Sequence, residues 1–349
     1  NLARIKDLGG KSIKTLKEEG IVGFSVKSKN YIVHHFIRKK MYSFKDILFI
    51  NGCTLPHPQR YRVDHQIEQL EANNVSADRV NYDQISFDMI KYYRAFVFFR
   101  CPITSTISEF IKIAKSENKV VFFDVDDLVI DTKYTKGIKY LKTMSNAELE
   151  LYNDGVNRMG STLKMCDYAI TTTDRLASEL KNYAKEVYIN RNVASEKMVE
   201  LSIKASKKVD KDENKVVMAY LSGSITHNDD FKIIMPVVKK LMSEHNNLYL
   251  KVVGLLDIPD ELMKFKDRII KAPFMPWQRL PEIISSIDIN LAPLESNIFN
   301  EAKSENKWIE AALCKIVTVA SNFGAFKDSI IDGVTGLLCD NTDEWYAKL

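Results

Sequence analysis

No apolar run in the 349 residues reaches membrane-spanning length, and the sequence shows neither a secretory-signal pattern nor a stop-transfer segment. A spanning helix is not expected, and the chain is expected in the cytoplasm. Cysteine is sparse: Cys53, Cys101, Cys166, Cys314 and Cys339 are odd in number, scattered and without C-x-x-C spacing. That pattern favours buried free thiols over a zinc site or disulfides. No G-x-G-x-x-G follows the first strand-like run, so a dinucleotide cofactor has no support. An initiator Met is missing and the sequence stops inside the helical pattern DEWYAKL, which reads as a fragment of a longer protein. The net charge of +4 is modest, and no nucleic-acid partner is expected.

What is present is an ordinary globular balance, 45% hydrophobic and 28% charged, over a length sufficient for two domains. Basic residues crowd the first 44 positions, among them Lys11, Lys14, Lys17, Lys27, Lys29, Arg38, Lys39 and Lys40. This segment reads as basic helix or linker, either solvated or docked on an anionic membrane at its inner face. From Asp46 onward short apolar runs alternate with helical patterns: DILFIN, AFVFFR, VVFFDVDD, YAITTT and VYINRN, then VVMAYLSGS, YLKVVG, RIIKAPF and DINLAPLE. Continuous apolar strands with helices between them predict parallel sheets covered on both faces. A polar, Lys-rich stretch at 195–214 predicts a linker, giving domains at 45–205 and 206–349.

Chemistry-bearing residues fall at strand ends, where open α/β sheets bind ligands. Gly52, Arg60 and Arg62 follow the first strand, and Asp124, Asp126 and Asp127 end the VVFFDVDD run. Gly223 and Ser224 form a small-residue turn before a helix, with His227 and Asp230 close by, and Trp277 opens a later helix. The stretch NEAKSENKWIEAALCKIVTVAS, Asn300 to Ser321, reads as a helix capped by Ser304 and then a buried strand. Spacings of four and three place Lys303, Lys307 and Glu310 on one helix face. Two cations at a helix N-terminus suit a diphosphate, and a carboxylate one turn on suits a ribose. A solvated face with an internal Lys307–Glu310 pair is the alternative from spacing alone.

The same stretch resembles the Glu-containing donor motif of GT-B glycosyltransferases of the group 1 retaining type, family 4-like enzymes of polysaccharide and cell-surface glycan synthesis. Glu310, Ala311, Val319, Ala320 and Ser321 fit the motif, and Lys303, Ser304, Lys307 and Glu310 match its K-S-x-x-K-x-x-E variant. Lys315 and Val317 stand where the family has Gly and Pro, so either Lys315 is mildly strained as a left-handed C-cap or the turn is differently built. The first Glu of the family's two-Glu motif would fall at Ala302, beside Glu301. The late GAFKDSIIDGVTGLLCD, Gly324 to Asp340, and the S-G-S-x-x-H-x-x-D-F stretch at Ser222 also resemble the family, although its Arg and Lys of that loop are missing.

The resemblance implies an α/β GT-B fold, two Rossmann-like domains whose parallel sheets face a central cleft. It implies transfer of a hexosyl or deoxyhexosyl group from a UDP-, dTDP- or GDP-linked sugar to a glycan, lipid-linked or protein-linked acceptor, with retention and without a metal or cofactor. On this reading Gly223, Ser224, Lys303, Ser304, Lys307, Glu310 and Trp277 hold the donor. Gly52, Arg60, Arg62, Asp124 and Asp127 shape the acceptor side, and His227, Asp126 and Lys307 are the catalytic candidates. The acidic cluster also admits a GT-A D-x-D metal site or a Mg²⁺-dependent phosphatase nucleophile at Asp124 and Asp126. A nucleotide-sugar epimerase and a degenerate domain acting as a binding module are the further rivals.

Overall fold

The computed structural model describes residues 44–136, 138–222 and 228–349. The basic stretch from Lys11 to Lys40, and with it the membrane-docking expectation, lies outside the described residues.

Six strands form the first sheet: β1 (Lys45–Asn51), β2 (Ala77–Asn81), β3 (Tyr93–Phe99), β4 (Val120–Asp124), β5 (Tyr168–Thr171) and β6 (Glu186–Ile189). Their order is β2-β1-β3-β4-β5-β6 and every pairing is parallel. The central strands are apolar because both faces are covered, and Leu48, Ile50, Phe96, Phe98, Val121 and Phe123 are all buried. Phe110, from the helix Ser105–Ser116, meets Phe96 and Phe98 edge-on at 5.0 and 6.1 Å, inside the usual range for aromatic pairs. Strand β2 is absent from the apolar pattern because it is an edge strand with only Ala77 buried.

The second sheet holds β7 (Val216–Ser222), β8 (Leu248–Gly254), β9 (Ile269–Ala272), β10 (Ile289–Ala292), β11 (Val317–Ser321) and β12 (Leu337–Cys339). Its order is β12-β11-β10-β7-β8-β9, again parallel throughout. Chain order reverses direction between β1 and β3 in the first sheet and between β7 and β10 in the second. Crevices at the carboxyl ends of such strands are the binding places of open α/β sheets.

Two features tie the halves together. The polar stretch expected as linker contains a helix, Glu196–Ser206, capped by Ser195, whose hydroxyl accepts from Met198 N at 3.2 Å. Its buried Met198, Ser202 and Ala205 face the second half, where the helix packs on Leu280–Ser285 and Asn306–Leu313. In the other direction, Ala302 is fully buried in the first sheet's core, Phe299 packs beside it, and Thr173 Oγ1 donates to Ala302 O at 3.0 Å. All five cysteines are free, with Cys101, Cys314 and Cys339 buried.

Candidate active site

The loop after β1 runs into a wide π-type turn, Arg60–Asp64, before the helix His65–Ala72. Alternate residues of this turn point to opposite sides. Arg62 turns inward, where its Nε and NH2 donate to the two oxygens of Asp124 at 2.9 and 2.7 Å. Its NH1 donates to Asn190 O at 2.7 Å and Asn192 Oδ1 at 3.2 Å, and Gln66 Nε2 adds a bond to Asp124 at 3.0 Å. Both partners are 0% exposed. Burial pushes the Asp124 carboxyl up, against the pull of Arg62. The pair is a sealed, bidentate ion pair beneath the crevice, and both Asp124 oxygens are engaged by Arg62 and Gln66.

Gly52 is also structural. A Cβ there would lie 2.4 Å from Cys101 Cα and 2.5 Å from Arg100 O, so the loop leaving β1 passes the end of β3 only because no side chain intervenes. Arg100, at φ 42°, ends that strand and pairs with both Asp126 and Asp127. Burial raises the Asp127 carboxyl despite Arg100. Asp126 and Asp127 thus stand at the crevice side by side on one guanidinium, and Asp124 does not join them.

Arg60 and Tyr61 point out of the turn, across to the second half. Arg60 NH2 and Tyr61 OH each donate to Glu310 Oε1 at 2.8 Å. The Arg60 guanidinium lies 4.8 Å from the Trp277 ring centroid and 4.4 Å from that of Tyr61. His57, from the same loop, meets Phe274 edge-on at 5.2 Å. Trp277 thus lies against the cleft with Arg60 beside it.

Glu310 and Lys307 share the helix Asn306–Leu313, which buries Ala311. The helix begins later than Ser304, whose hydroxyl instead accepts from Asn192 Nδ2 at 3.1 Å. Glu305 occupies the N-cap position without a side-chain cap bond. Lys303 precedes the helix, and so does not share its face with Lys307 and Glu310. Its Nζ lies 5.6 Å from the Phe299 ring centroid. The helix closes in a Schellman turn, Lys315 N to Ala312 O at 2.9 Å and Ile316 N to Ala311 O at 3.0 Å, with Lys315 at φ 60°. Of the two turns the sequence allowed here, the left-handed cap is the one present, held by a lysine.

Lys307 has the most telling environment. Its Nζ is sealed from solvent and, among the described residues, has no hydrogen-bond partner. It sits 4.6 Å from the Tyr220 ring centroid. Burial lowers its pKa to about 8, with Lys303 adding to the shift and Asp230 and Glu310 opposing it. Asp230 is itself fixed, accepting from Glu295 N at 2.8 Å and Asn300 Nδ2 at 3.0 Å. A desolvated ammonium with unused donors beside a helix N-terminus is equipped to receive an anion. Gly223, Ser224 and His227 lie outside the described residues.

The residues not foreseen are Tyr61 and Arg100. Tyr61 stands between the two arginines already singled out, and that adjacency is the only signal it offers.

Two parallel six-stranded sheets, joined through the cleft that carries Arg60, Trp277, Lys307 and Glu310, define the GT-B class of fold. Residues 215–349, which hold the second sheet, match the family described as "Glycosyl transferases group 1". No curated protein sequence matches the chain. Among solved structures, the chain is similar to the catalytic domain of starch synthase IV from Arabidopsis thaliana bound to ADP and acarbose. Identity there is 8%, with 84% of this chain and 86% of that one covered at a TM-score of 0.52. A putative UDP-N-acetylglucosamine 2-epimerase from Listeria monocytogenes matches at 10% identity, 87% of each chain and a TM-score of 0.50. Anabaena Alr3699/HepE in complex with UDP-glucose matches at 11% identity, 87% and 88% coverage and a TM-score of 0.49. For the starch synthase and epimerase structures the likeness, at these identities, is one of fold.

Proposed function

We propose that the chain transfers a hexosyl or deoxyhexosyl group from a UDP-, dTDP- or GDP-linked donor to a glycan, lipid-linked or protein-linked acceptor, with retention and without a metal. The observation that carries the reading is the buried Lys307 ammonium, without a hydrogen-bond partner among the described residues and one turn from Glu310, inside the segment that matches the group 1 glycosyltransferases.

On this reading the diphosphate lies at the start of the helix Asn306–Leu313. Lys307, with Lys303 nearby, neutralises the charge that develops on the leaving diphosphate as the glycosidic bond to it breaks. Fixed donors in a water-poor site stabilise such a charge far more than water-exposed ones do. Glu310 receives ribose hydroxyls and Trp277 lies against the base. The acceptor approaches from the first sheet, where Asp126 and Asp127, held by Arg100, orient its hydroxyl. Attack on the donor's own face, with the leaving phosphate taking the acceptor proton, retains configuration and requires no separate base. His227 is the remaining candidate for direct contact with the transferred sugar.

Thermal unfolding of wild type and Lys307→Ala with UDP, GDP, dTDP and CDP, each with and without Mg²⁺, tests this. A diphosphate at roughly a hundred times its dissociation constant stabilises the fold by about 2.7 kcal/mol. The reading requires at least one of them to shift wild type without metal and to leave Lys307→Ala unmoved. A shift that needs Mg²⁺, or none at all, defeats it and favours the binding-module alternative.

A further inference from the structure

Glu310 and Trp277, the two groups given to the nucleoside in the reading above, are engaged by one residue from the opposite half of the molecule. Arg60 lays a flat, delocalised cation near the Trp277 ring and directs an N–H at Glu310 Oε1, and Tyr61 OH joins it on the same oxygen. A nucleoside would make the same two kinds of contact, a plane against the indole and hydroxyl donors on the carboxylate. Arg60 is only 4% exposed, so its guanidinium is held in the cleft and does not trail into solvent.

The neighbouring arginine shows what a permanent lock looks like in this turn. Arg62 uses its Nε, NH1 and NH2 on Asp124, Asn190 and Asn192. Arg60, two positions earlier, leaves its buried Nε without a hydrogen-bond partner among the described residues. Arg60 also lines a small recess together with Trp277, Leu280, Pro281, Ile284 and Glu310. The π-type turn brings Arg60 and Tyr61 to a single carboxylate oxygen, and windings of this kind recur at functional sites.

We propose that Arg60, assisted by Tyr61, is a plug of the nucleoside subsite: the arrangement described here excludes the donor, and a nucleoside diphosphate binds by displacing the guanidinium from Glu310 and Trp277. The proposal rests on the donor-site reading. A plug makes the apparent dissociation constant larger than the intrinsic one by the reciprocal of the open fraction. Removing it must therefore tighten binding, the opposite of what loss of a donor ligand does.

The test is calorimetric titration of the full chain with UDP, GDP, dTDP and CDP, comparing wild type with Arg60→Ala, Arg60→Met and Tyr61→Phe. Arg60→Ala is expected to lower the dissociation constant of the preferred nucleotide by about threefold to tenfold, and Tyr61→Phe by less. Arg60→Met fills the same space without charge or donors, and with Tyr61→Phe it carries the prediction if Arg60→Ala fails to fold. Binding to wild type that is equal or weaker in the folded variants overturns the plug and leaves the donor site standing. If no nucleotide binds wild type or any variant, the donor site falls and the plug falls with it.

Discussion

Lys307 keeps a charge where water cannot reach it, and its stability and its binding should therefore respond to pH in opposite directions. Its folded-state pKa of about 8 lies below the ordinary 10.5, so between those values the unfolded chain binds more protons than the folded one. This group alone then makes the protein more stable as pH rises through that window. A diphosphate needs the ammonium, so affinity should fall above pH about 8, and binding at pH 8 to 9 should take up a proton. Calorimetry in buffers of different ionisation enthalpy measures that uptake, which should vanish in Lys307→Met. The same variant, free of ligand, is expected to gain about 1 kcal/mol because a buried charge without a hydrogen-bond partner among the described residues is removed. A lower melting point would instead mean that attraction to Asp230 outweighs burial. Arg62 makes the contrasting case. Arg62→Met leaves the fully buried Asp124 without its cation, an uncompensated charge costing about 3–5 kcal/mol. Denaturant unfolding should show that loss, and Arg62→Met with Asp124→Leu should recover much of it.

Among the elements, the turn at Lys315 carries a cost that one substitution removes. Lys315 is exposed and left-handed at φ 60°, and Lys315→Gly should stabilise the chain by about 0.5–1 kcal/mol, since relief of the Cβ clash exceeds the added freedom of the unfolded chain. Chemical denaturation reads this directly, and an unchanged or lower midpoint would show the Schellman turn to be unstrained. The sequence left that cap open against a differently built turn, whereas the central strands were legible because DILFIN and VVFFD are apolar on both faces. Strand β2 was not legible: ADRVN buries one side chain and owes its place to pairing with β1. The helix Glu196–Ser206 was hidden for a similar reason, since its polar sequence buries only a narrow stripe. In the site, Lys307 and Glu310 could be read from their spacing on one helix. The contact of Glu310 with Arg60, 250 positions away, could not, because no local pattern encodes it. Ser304 was misplaced as a cap because its actual partner, Asn192, belongs to the other half.

For the molecule as a whole, the two sheets are tied by more than a hinge. Ala302 sits in the first sheet's core, Phe299 packs against it, and Lys139 reaches Glu295 at 2.6 Å across the same boundary. Calorimetry is expected to show a single unfolding transition in wild type. Ala302→Arg, which forces a charge into that core, should separate it into two, with the first sheet melting lower. Two transitions in wild type would mean that the embedded segment contributes little. The embedding also sets a rule for recombining such proteins. A transplanted second half carries its own Phe299 and Ala302, and the recipient must offer them a cavity of matching shape. Successful chimeras would therefore be governed less by where the crossover is cut near residue 206 than by whether Thr173 and its surroundings travel with the graft.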